Sequence, residues 1–295
     1  MPGHVRRRAA MICTLALAMV CVHRAKEQAA LLFCAAVGVS QSETHLLLKK
    51  NHKMVELFHK RLDKARADYV MEVQKNMTFG GSMQWSDVEV DEANFGKARV
   101  PVPRGHRRNL SLMWENWLGL VERGNPESLV LKRLPTAYTV ARAPGPGPIK
   151  STDWASIAEE YVVGRNIILH SDSARAYKKP MPGVIHDAVV HQKKKVILNG
   201  KGAWMQPHYT KRITHKLPNG QTVQVLAGTQ IIDRAWRFIR KHLNGRHGVP
   251  GTESTANRIR SAQWCYWHKE TDRWEATGKM LTKLRDLDSA RENMA

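Results

Sequence analysis

The segment NIILHSDS at residues 166–173 constrains the fold of this chain more than any other part of the sequence. Its apolar residues run on almost without interruption, which is typical of a strand that is buried on both faces of a sheet. Helices must then cover both faces of that sheet. One such helix is predicted directly before the segment, with Ser151 or Thr152 as its N-cap and its end near Val163. We therefore expect an α/β fold with a sheet between layers of helices.

More strands are predicted on the N-terminal side of this segment. Residues 85–95 alternate between polar and apolar side chains, as a half-buried strand does. Residues 117–124 and 128–134 are also predicted to be strands, joined by a turn at Gly124-Asn125-Pro126. A Pro- and Gly-rich loop at 141–150 then leads into the predicted helix.

The last third of the chain is predicted to contain a polar hairpin followed by helices. The hairpin runs from residue 186 to residue 225, with Asn219-Gly220 as a turn. Apolar residues at helical spacing predict a basic amphipathic helix at 228–243. A charged helical region with a cluster of Trp and Tyr residues follows at 251–290.

The N-terminal region is predicted to be helical. A glycine turn at 38–40 divides residues 29–50 into two short helices, and a basic amphipathic helix continues over 51–76. This outline is typical of a helix-turn-helix, although a helical hairpin that packs on itself fits it equally well. The apolar run at 9–22, after three arginines, is similar to a signal peptide, and a buried helix is the alternative.

These changes of pattern divide the 295 residues into three parts. The first is a helical N-terminal region at 1–78, in which a degenerate helix-turn-helix is possible. The second is an α/β domain at 79–250, and the third is a C-terminal helical extension at 251–295. The hydrophobic content of 42% is enough for a sizeable core.

The charge of the chain predicts a polyanionic partner. The sequence has 47 Lys and Arg residues against 26 Asp and Glu residues, a formal net charge of +21. Cationic side chains bind nucleic acid because they release the counterions that condense around its phosphates. A basic surface without a nucleic-acid ligand is the alternative, but nine Trp residues indicate a packed domain rather than a basic tail.

Two acidic residues occur where strands are predicted. In the first predicted strand, Glu89 and Asp91 share one face and Val88 and Val90 share the other. Asp172 ends the apolar segment, and ligands of open α/β sheets bind at the carboxyl ends of strands. The alternatives are an edge strand with solvent-facing acids for Asp91 and a helix N-cap for Asp172.

A third acid, Asp233, lies on the predicted basic helix, with Arg237 and Arg240 on the same side. A surface ion pair with Arg237 is the alternative role. Three acids from two strands and one helix could instead converge on a pair of Mg²⁺ ions, which prefer oxygen ligands. Two such ions activate an attacking oxygen and stabilise a leaving one in phosphodiester chemistry.

The segments around these acids resemble the three signature blocks of the ISXO-like insertion-sequence transposases, over about residues 75–250. VEVDEANFGK at 88–97 is similar to their VEVDE-x-x-FG pattern, and NIILHSDSARAYK at 166–178 to their D-x-x-x-x-Y pattern. GTQIIDRAWRFIRKHL at 228–243 is similar to T-N-x-x-E-x-x-W-x-x-x-K, with Gln230 in place of Asn and Asp233 in place of Glu.

This resemblance implies a DDE transposase with a ribonuclease H-like mixed sheet flanked by helices. It implies that Asp91, Asp172 and Asp233 are the catalytic and metal-binding residues and that Mg²⁺ or Mn²⁺, as two ions, is the cofactor. The enzyme would cleave and transfer DNA strands. Because Asp is one methylene shorter than Glu, the carboxylate of Asp233 falls about 1 Å short of the family's position, which can cost roughly 100-fold in rate.

The implied partner is DNA, at element ends and targets, bound by a homo-oligomer with no membrane partner. The expected DNA-binding residues are Arg237, Arg240, Lys241, Lys193, Lys194 and Lys195. The expected location is the nucleus in a eukaryote and the cytoplasm or nucleoid in a bacterium. Two alternatives stay open: a non-catalytic DNA-binding protein derived from a transposase, and a basic RNA-binding protein.

Overall fold

The computed structural model describes residues 22–81, 84–101, 110–190, 193–198, 200–206, 208–243 and 248–293. The chain divides into two compact units, one of residues 1–73 with 268–295 and one of residues 74–267. The signal-like run at 9–22 lies almost wholly outside the described residues. Within the described residues, no helix is long and apolar enough to cross a membrane.

In chain order the helices and strands are α1 (Val22–Val37), α2 (Gln41–Leu48), α3 (His52–Gln74), β1 (Ser86–Arg99), β2 (Leu110–Glu122), β3 (Val130–Arg133), β4 (Ala137–Val140), α4 (Ser151–Tyr161), β5 (Ile167–Ser171), β6 (Val184–Ala188), β7 (Lys194–Leu198), β8 (Lys201–Met205), β9 (Lys211–Lys216), β10 (Thr222–Ala227), α5 (Gln230–Leu243), α6 (Glu253–Trp267) and α7 (Arg273–Asn293).

The first unit is helical, as the sequence predicts. Helix α1 ends at a glycine, Gly38, whose φ of 90° is a left-handed conformation that suits a residue without Cβ. Ser40 then caps α2 in a capping box with Glu43. The predicted turn between two helices is confirmed. Whether it reads DNA stays a prediction.

The second unit contains a mixed sheet flanked by helices. Its strand order is β3-β2-β1-β5-β6, and β4 pairs with the outer part of β2. Strand β1 is antiparallel to β2 and parallel to β5, and β5 is parallel to β6. Every residue of β5 is buried, so the prediction of a strand covered on both faces is confirmed. The predicted mixed α/β architecture is confirmed as well.

Helices pack on both faces of this sheet. On one face, Val88 and Val90 of β1 belong to the same apolar core as Trp154 and Tyr161 of α4. On the other face, α5 packs against β1 and β2, and α6 packs against α5. The predicted alternation along β1 is therefore confirmed.

Two predictions about secondary structure are wrong in detail. The N-cap of α4 is Lys150, which leaves Ser151 and Thr152 inside the helix. Residues 186–225 are not one hairpin, because 184–188 form a parallel strand of the sheet and two separate hairpins, β7–β8 and β9–β10, follow. The predicted helical region at 251–290 forms two helices, α6 in the unit that contains the sheet and α7 in the unit of the N-terminal helices.

A candidate carboxylate site on the central strands

Asp91 lies on β1, and Asp172 directly follows the neighbouring strand β5, which ends at Ser171. Strands β1 and β5 pair in parallel from Ser86 opposite Ile167 to Glu89 opposite His170, a constant offset of 81 residues. Asp172 follows Asp91 by the same 81 residues, and each acid lies two residues beyond the last pair between these strands, Glu89 opposite His170. Neighbouring strands are about 4.8 Å apart. The alternative of an edge strand for Asp91 is wrong, because β1 has a strand on each side.

Asp172 does not cap an α-helix. Its Oδ1 accepts a hydrogen bond of 2.8 Å from the backbone N–H of Ala174, a local turn of the kind that Asp favours. The short 3-10 segment that follows, at Arg175–Lys178, has Ala174 as its own N-cap. This turn holds the Asp172 side chain at the end of β5.

Burial and like charge raise the pKa of Asp91 to about 8. Burial is the larger cause, and the neighbouring carboxylates of Glu92 and Asp233 add to it. The indole Nε1 of Trp236 donates a hydrogen bond of 3.0 Å to Oδ2 of Asp91, which partly opposes the rise. A buried carboxyl among other acids is thus held on strand β1 by a helix on the facing layer.

Glu92 follows Asp91 on β1 and lies on the opposite face of that strand. The hydroxyl of Tyr177 donates a short hydrogen bond to Oε1 of Glu92. Burial raises the pKa of Glu92 to about 7, and the charge of Asp172 contributes to the rise. Glu92 therefore adds a fourth carboxyl group to the surroundings of Asp91 and Asp172. The sequence predicts no role for Glu92. The one feature that could have indicated a role is that Glu92 is the last residue of the VEVDE block.

Asp233 lies in the first turn of helix α5 and is exposed. The buried side chain of Thr229 donates a hydrogen bond of 3.4 Å to Oδ2 of Asp233. The charge of Asp233 contributes to the raised pKa of Asp91. Asp233 is therefore near Asp91, with its carboxylate towards solvent.

Glu89 fixes the N-terminus of helix α5 to the sheet. It is 1% exposed, and its Oε2 accepts hydrogen bonds from the backbone N–H groups of Ile231 and Ile232 at 2.7 and 3.0 Å. The first N–H groups of a helix lack partners within it, so this carboxylate serves as a remote cap. Arg123 neutralises Glu89 at 2.8 Å and also donates to the carbonyl of Gly228. This arrangement determines where Asp233 lies.

Gly119 makes room for the same helix. It pairs with Asp91 across β1 and β2. A Cβ at this position would stand 2.6 Å from the ring of Trp236 and 2.7 Å from Ile232. Only a glycine therefore lets the indole pack against β2 while its N–H reaches Asp91. The sequence contains no local signal for this close approach.

A second polar network lies beside the acids on the same face of the sheet. His170 is fully buried, and its two ring nitrogens contact Asp187 and Asp87, each at 2.8 Å. His215 of hairpin β9–β10 contacts the other oxygen of Asp187 at 3.0 Å. Burial lowers the pKa of His170, but the two carboxylates outweigh it and leave the pKa raised. The network attaches the hairpin to strands β5 and β6.

The predicted DNA-binding residues fall into two groups. Arg237, Arg240 and Lys241 are exposed on α5, on the side of the helix that also carries Asp233. Arg240 lies over the ring of Phe95, with 5.7 Å from its guanidinium carbon to the ring centre.

The second group lies on a separate two-stranded sheet, β7–β8. Lys193 and Lys195 are exposed, and for Lys194 the structure describes only the backbone. No contact described joins this group to the carboxylates.

The donor set fits a hard divalent cation. Asp91, Asp172 and Asp233 offer carboxylate oxygens, the ligands that Mg²⁺ and Mn²⁺ prefer. In the part of the chain that the structure describes, no three acidic, His or Cys side chains already stand in the arrangement of a bound ion. Burial is the larger cause of the raised pKa values of Asp91 and Glu92, and the charge of neighbouring acids adds to it, so a bound cation would favour their ionised forms.

No protein-family model, curated protein or solved structure matches this chain.

Proposed function

We propose that this protein is a metal-dependent enzyme that cleaves and joins DNA strands, of the ISXO-like DDE transposase type. The observation that carries the proposal is the parallel pairing of β1 with β5, because Asp91 and Asp172 each lie two residues beyond the last pair between these strands. A carboxylate on one strand, a second at the end of the neighbouring strand and a third on a facing helix would supply the ligands that two-metal phosphodiester chemistry needs.

The strand order supports a ribonuclease H-like fold for the sheet unit. Three antiparallel strands come first, followed by two parallel ones, and the first strand lies in the centre. This is the order of the fold that the family resemblance implies. The two hairpins between β6 and α5 are additions to it.

Contacts between the three sequence blocks support the family resemblance. Tyr177 of the second block donates to Glu92 of the first, and Trp236 of the third block donates to Asp91 of the first. Thr229 donates to Asp233 within the third block. The residues that define the blocks are therefore the residues that hold the acids in place. This gives a physical reason for the motif spacing.

Asp91, Asp172 and Asp233 would hold the divalent ions. The ions would supply Lewis-acid activation of the attacking water or 3′-hydroxyl and stabilisation of the leaving oxygen. Trp236 donates to Oδ2 of Asp91 and the backbone N–H of Ala174 donates to Oδ1 of Asp172, and these bonds would orient the two ligands.

Helix α5 would also bind the DNA backbone. Arg237, Arg240 and Lys241 are exposed beside Asp233, so phosphates that lie along the helix would pass close to the acids. Arginine and lysine contacts to phosphate position DNA without reading its sequence. The net charge of +21 favours this partner over a neutral substrate.

A plasmid-nicking assay tests the proposal. Wild-type protein should nick supercoiled DNA with Mg²⁺ or Mn²⁺ and be inactive with EDTA. Asp172→Asn keeps the shape of the side chain but removes its charge, and it should reduce nicking to background. Glu160→Gln removes an acid that is exposed in α4 and should leave the rate unchanged. Equal nicking by wild type and Asp172→Asn would overturn the proposal.

A non-catalytic DNA-binding protein is the second candidate. The exposure of Asp233 and its short side chain favour this reading, because a carboxylate that points to solvent holds an ion less well. It predicts DNA binding that weakens steeply with salt and no nicking with any divalent ion.

A further inference from the structure

The hairpin β7–β8 carries an exposed tryptophan between lysines. Lys195 pairs with Trp204 across the two strands, and Ile197 pairs with Gly202. Side chains of paired residues point to the same face, and so do those two positions apart. Lys195, Ile197 and Trp204 therefore share one face of the ribbon. Lys195 lies over Gly202, where an added Cβ would stand 2.9 Å from its side chain.

This face is open to solvent. Trp204 is 64% exposed and Ile197 is 79% exposed. Other tryptophans of the sheet unit, such as Trp117 and Trp154, are buried. A large apolar side chain that stays exposed next to another indicates a binding surface. A two-stranded ribbon with no core of its own is also only marginally stable in water, so contact with a ligand would stabilise it.

The charge around the hairpin fits a polyanion. From residue 188 to residue 232 the sequence contains seven Lys and Arg residues and no Asp or Glu. Lys195 is exposed and pairs with Trp204, and Lys193, two residues earlier in the chain, is exposed as well. A segment of this length with only positive charges attracts phosphates and repels other cationic surfaces.

We propose that the exposed face of β7–β8 binds unpaired bases of DNA, with Trp204 stacked on a base and Lys193 and Lys195 at the neighbouring phosphates. The inference rests on the proposed function for its partner, DNA. It specifies in addition that the bound DNA is single-stranded, as a strand end or a melted stretch near the point of cleavage.

The side chains on this face favour stacking over reading of base edges. An indole has one N–H donor and no acceptor, and isoleucine has neither, so this face cannot match the donor and acceptor pattern of a groove. Every base offers a flat face to an aromatic ring once it leaves the duplex, and a positive groove with an aromatic platform is the usual way of binding single strands.

Binding of the full-length protein to two DNA ligands tests the inference. One is a blunt duplex, and the other is the same duplex with a short single-stranded overhang that contains 2-aminopurine. Wild type should bind the overhang at least about fivefold more tightly and quench its fluorescence, because stacking of one base contributes at least that factor. Trp204→Ala should lose both effects, and Trp204→Phe should keep most of each.

Met205→Ala is the matched control. Met205 pairs with Lys194 on the opposite face of the same ribbon, so its loss should leave the preference for the overhang unchanged. Blunt-duplex binding that is equal in all four proteins shows that each is folded. An overhang preference that survives in Trp204→Ala, or that wild type lacks, overturns the inference.

The two proposals fail in different ways. If nicking depends on Asp172 but the overhang preference does not depend on Trp204, only the hairpin inference is wrong. If the preference depends on Trp204 but no nicking occurs, only the catalytic proposal is wrong. Tighter binding of an RNA overhang of the same sequence would overturn the assignment to DNA.

Discussion

The indole N–H of Trp236 bonds the carboxylate of Asp91 across the layer between helix and sheet, at 3.0 Å. Asp233 lies three residues before Trp236, nearly one helical turn, so this single bond relates the strand acid to the helix acid. It depends on a glycine at position 119 and on the carboxylate of Glu89 at the start of the helix. Substitutions at Gly119 and at Glu89 test these two contributions separately.

Gly119→Ala should displace helix α5. The new Cβ would overlap the ring of Trp236 at 2.6 Å, and overpacking of this kind typically costs about 1–3 kcal/mol. The bond to Asp91 would be lost and nicking would fall. Gly145→Ala is the control, because no atom lies within 4 Å of the added Cβ. Chemical denaturation and the nicking assay check both variants, and wild-type behaviour of Gly119→Ala would contradict the packing described.

Glu89→Ala should destabilise the sheet unit by about 3 kcal/mol, because it leaves Arg123 and two helix N–H groups without their buried acceptor. Glu160→Ala removes an exposed ion pair with Lys132 and should cost about 1 kcal/mol or less. Urea unfolding measures both changes in free energy. Similar small losses in the two variants would show that Glu89 does not anchor the helix.

Asp233→Glu should increase nicking. The longer side chain extends the carboxylate by about one methylene, and a 1 Å error in the position of a catalytic group can cost roughly 100-fold. Asp233→Asn, which has the length of Asp but no charge, should abolish nicking instead. Single-turnover rates with Mn²⁺ distinguish the three proteins. A Glu variant no faster than wild type would indicate that side-chain length does not limit the reaction.

Asp187→Asn should reduce thermal stability mainly in weak acid. The raised pKa of His170 means that its charged form stabilises the fold below 6.5, its ordinary pKa, and that this stability is lost as the pH rises through the raised value. Burial raises the pKa of Asp187, but hydrogen bonds to His170 and His215 lower it more. Its stabilising effect is therefore present above the ordinary value of 3.8 and is lost as the pH falls through the lowered one.

Both effects act together between those limits, so the Tm difference between wild type and Asp187→Asn should be larger at about pH 5.5 than at about pH 9. Arg123 opposes the charge on His170 but does not reverse the direction. Circular dichroism melts at the two pH values measure the difference. A Tm difference independent of pH would contradict the proposed charge pairing.

The sequence predicts the parts of this fold that depend on local pattern. The apolar run at 166–173 and the alternation at 85–95 are strong signals, and both strands form in the sheet. The helix at 228–243 follows from its apolar spacing and forms at Gln230–Leu243. Asp91 and Asp172 could be placed on strands for the same reason.

Long-range pairing is what the sequence cannot supply. Strand β6 is short and contains the polar residues His186 and Asp187. Its sequence therefore favours a solvent-exposed hairpin, and only the parallel pairing with β5 shows that it belongs to the sheet. The roles of Gly119 and His170 depend on partners more than 70 residues away, Trp236 for the first and Asp87 for the second. No local pattern marks such contacts.

Anomalous diffraction from crystals soaked in Mn²⁺ tests the central claim most directly, because it locates the ions without relying on activity. The account predicts two peaks about 3.5–4 Å apart. At least one should bridge the carboxylates of Asp91 and Asp172, and both should vanish in the Asp91→Asn variant. Mn²⁺ bound elsewhere, or no peak between these two aspartates at saturating Mn²⁺, would contradict the account.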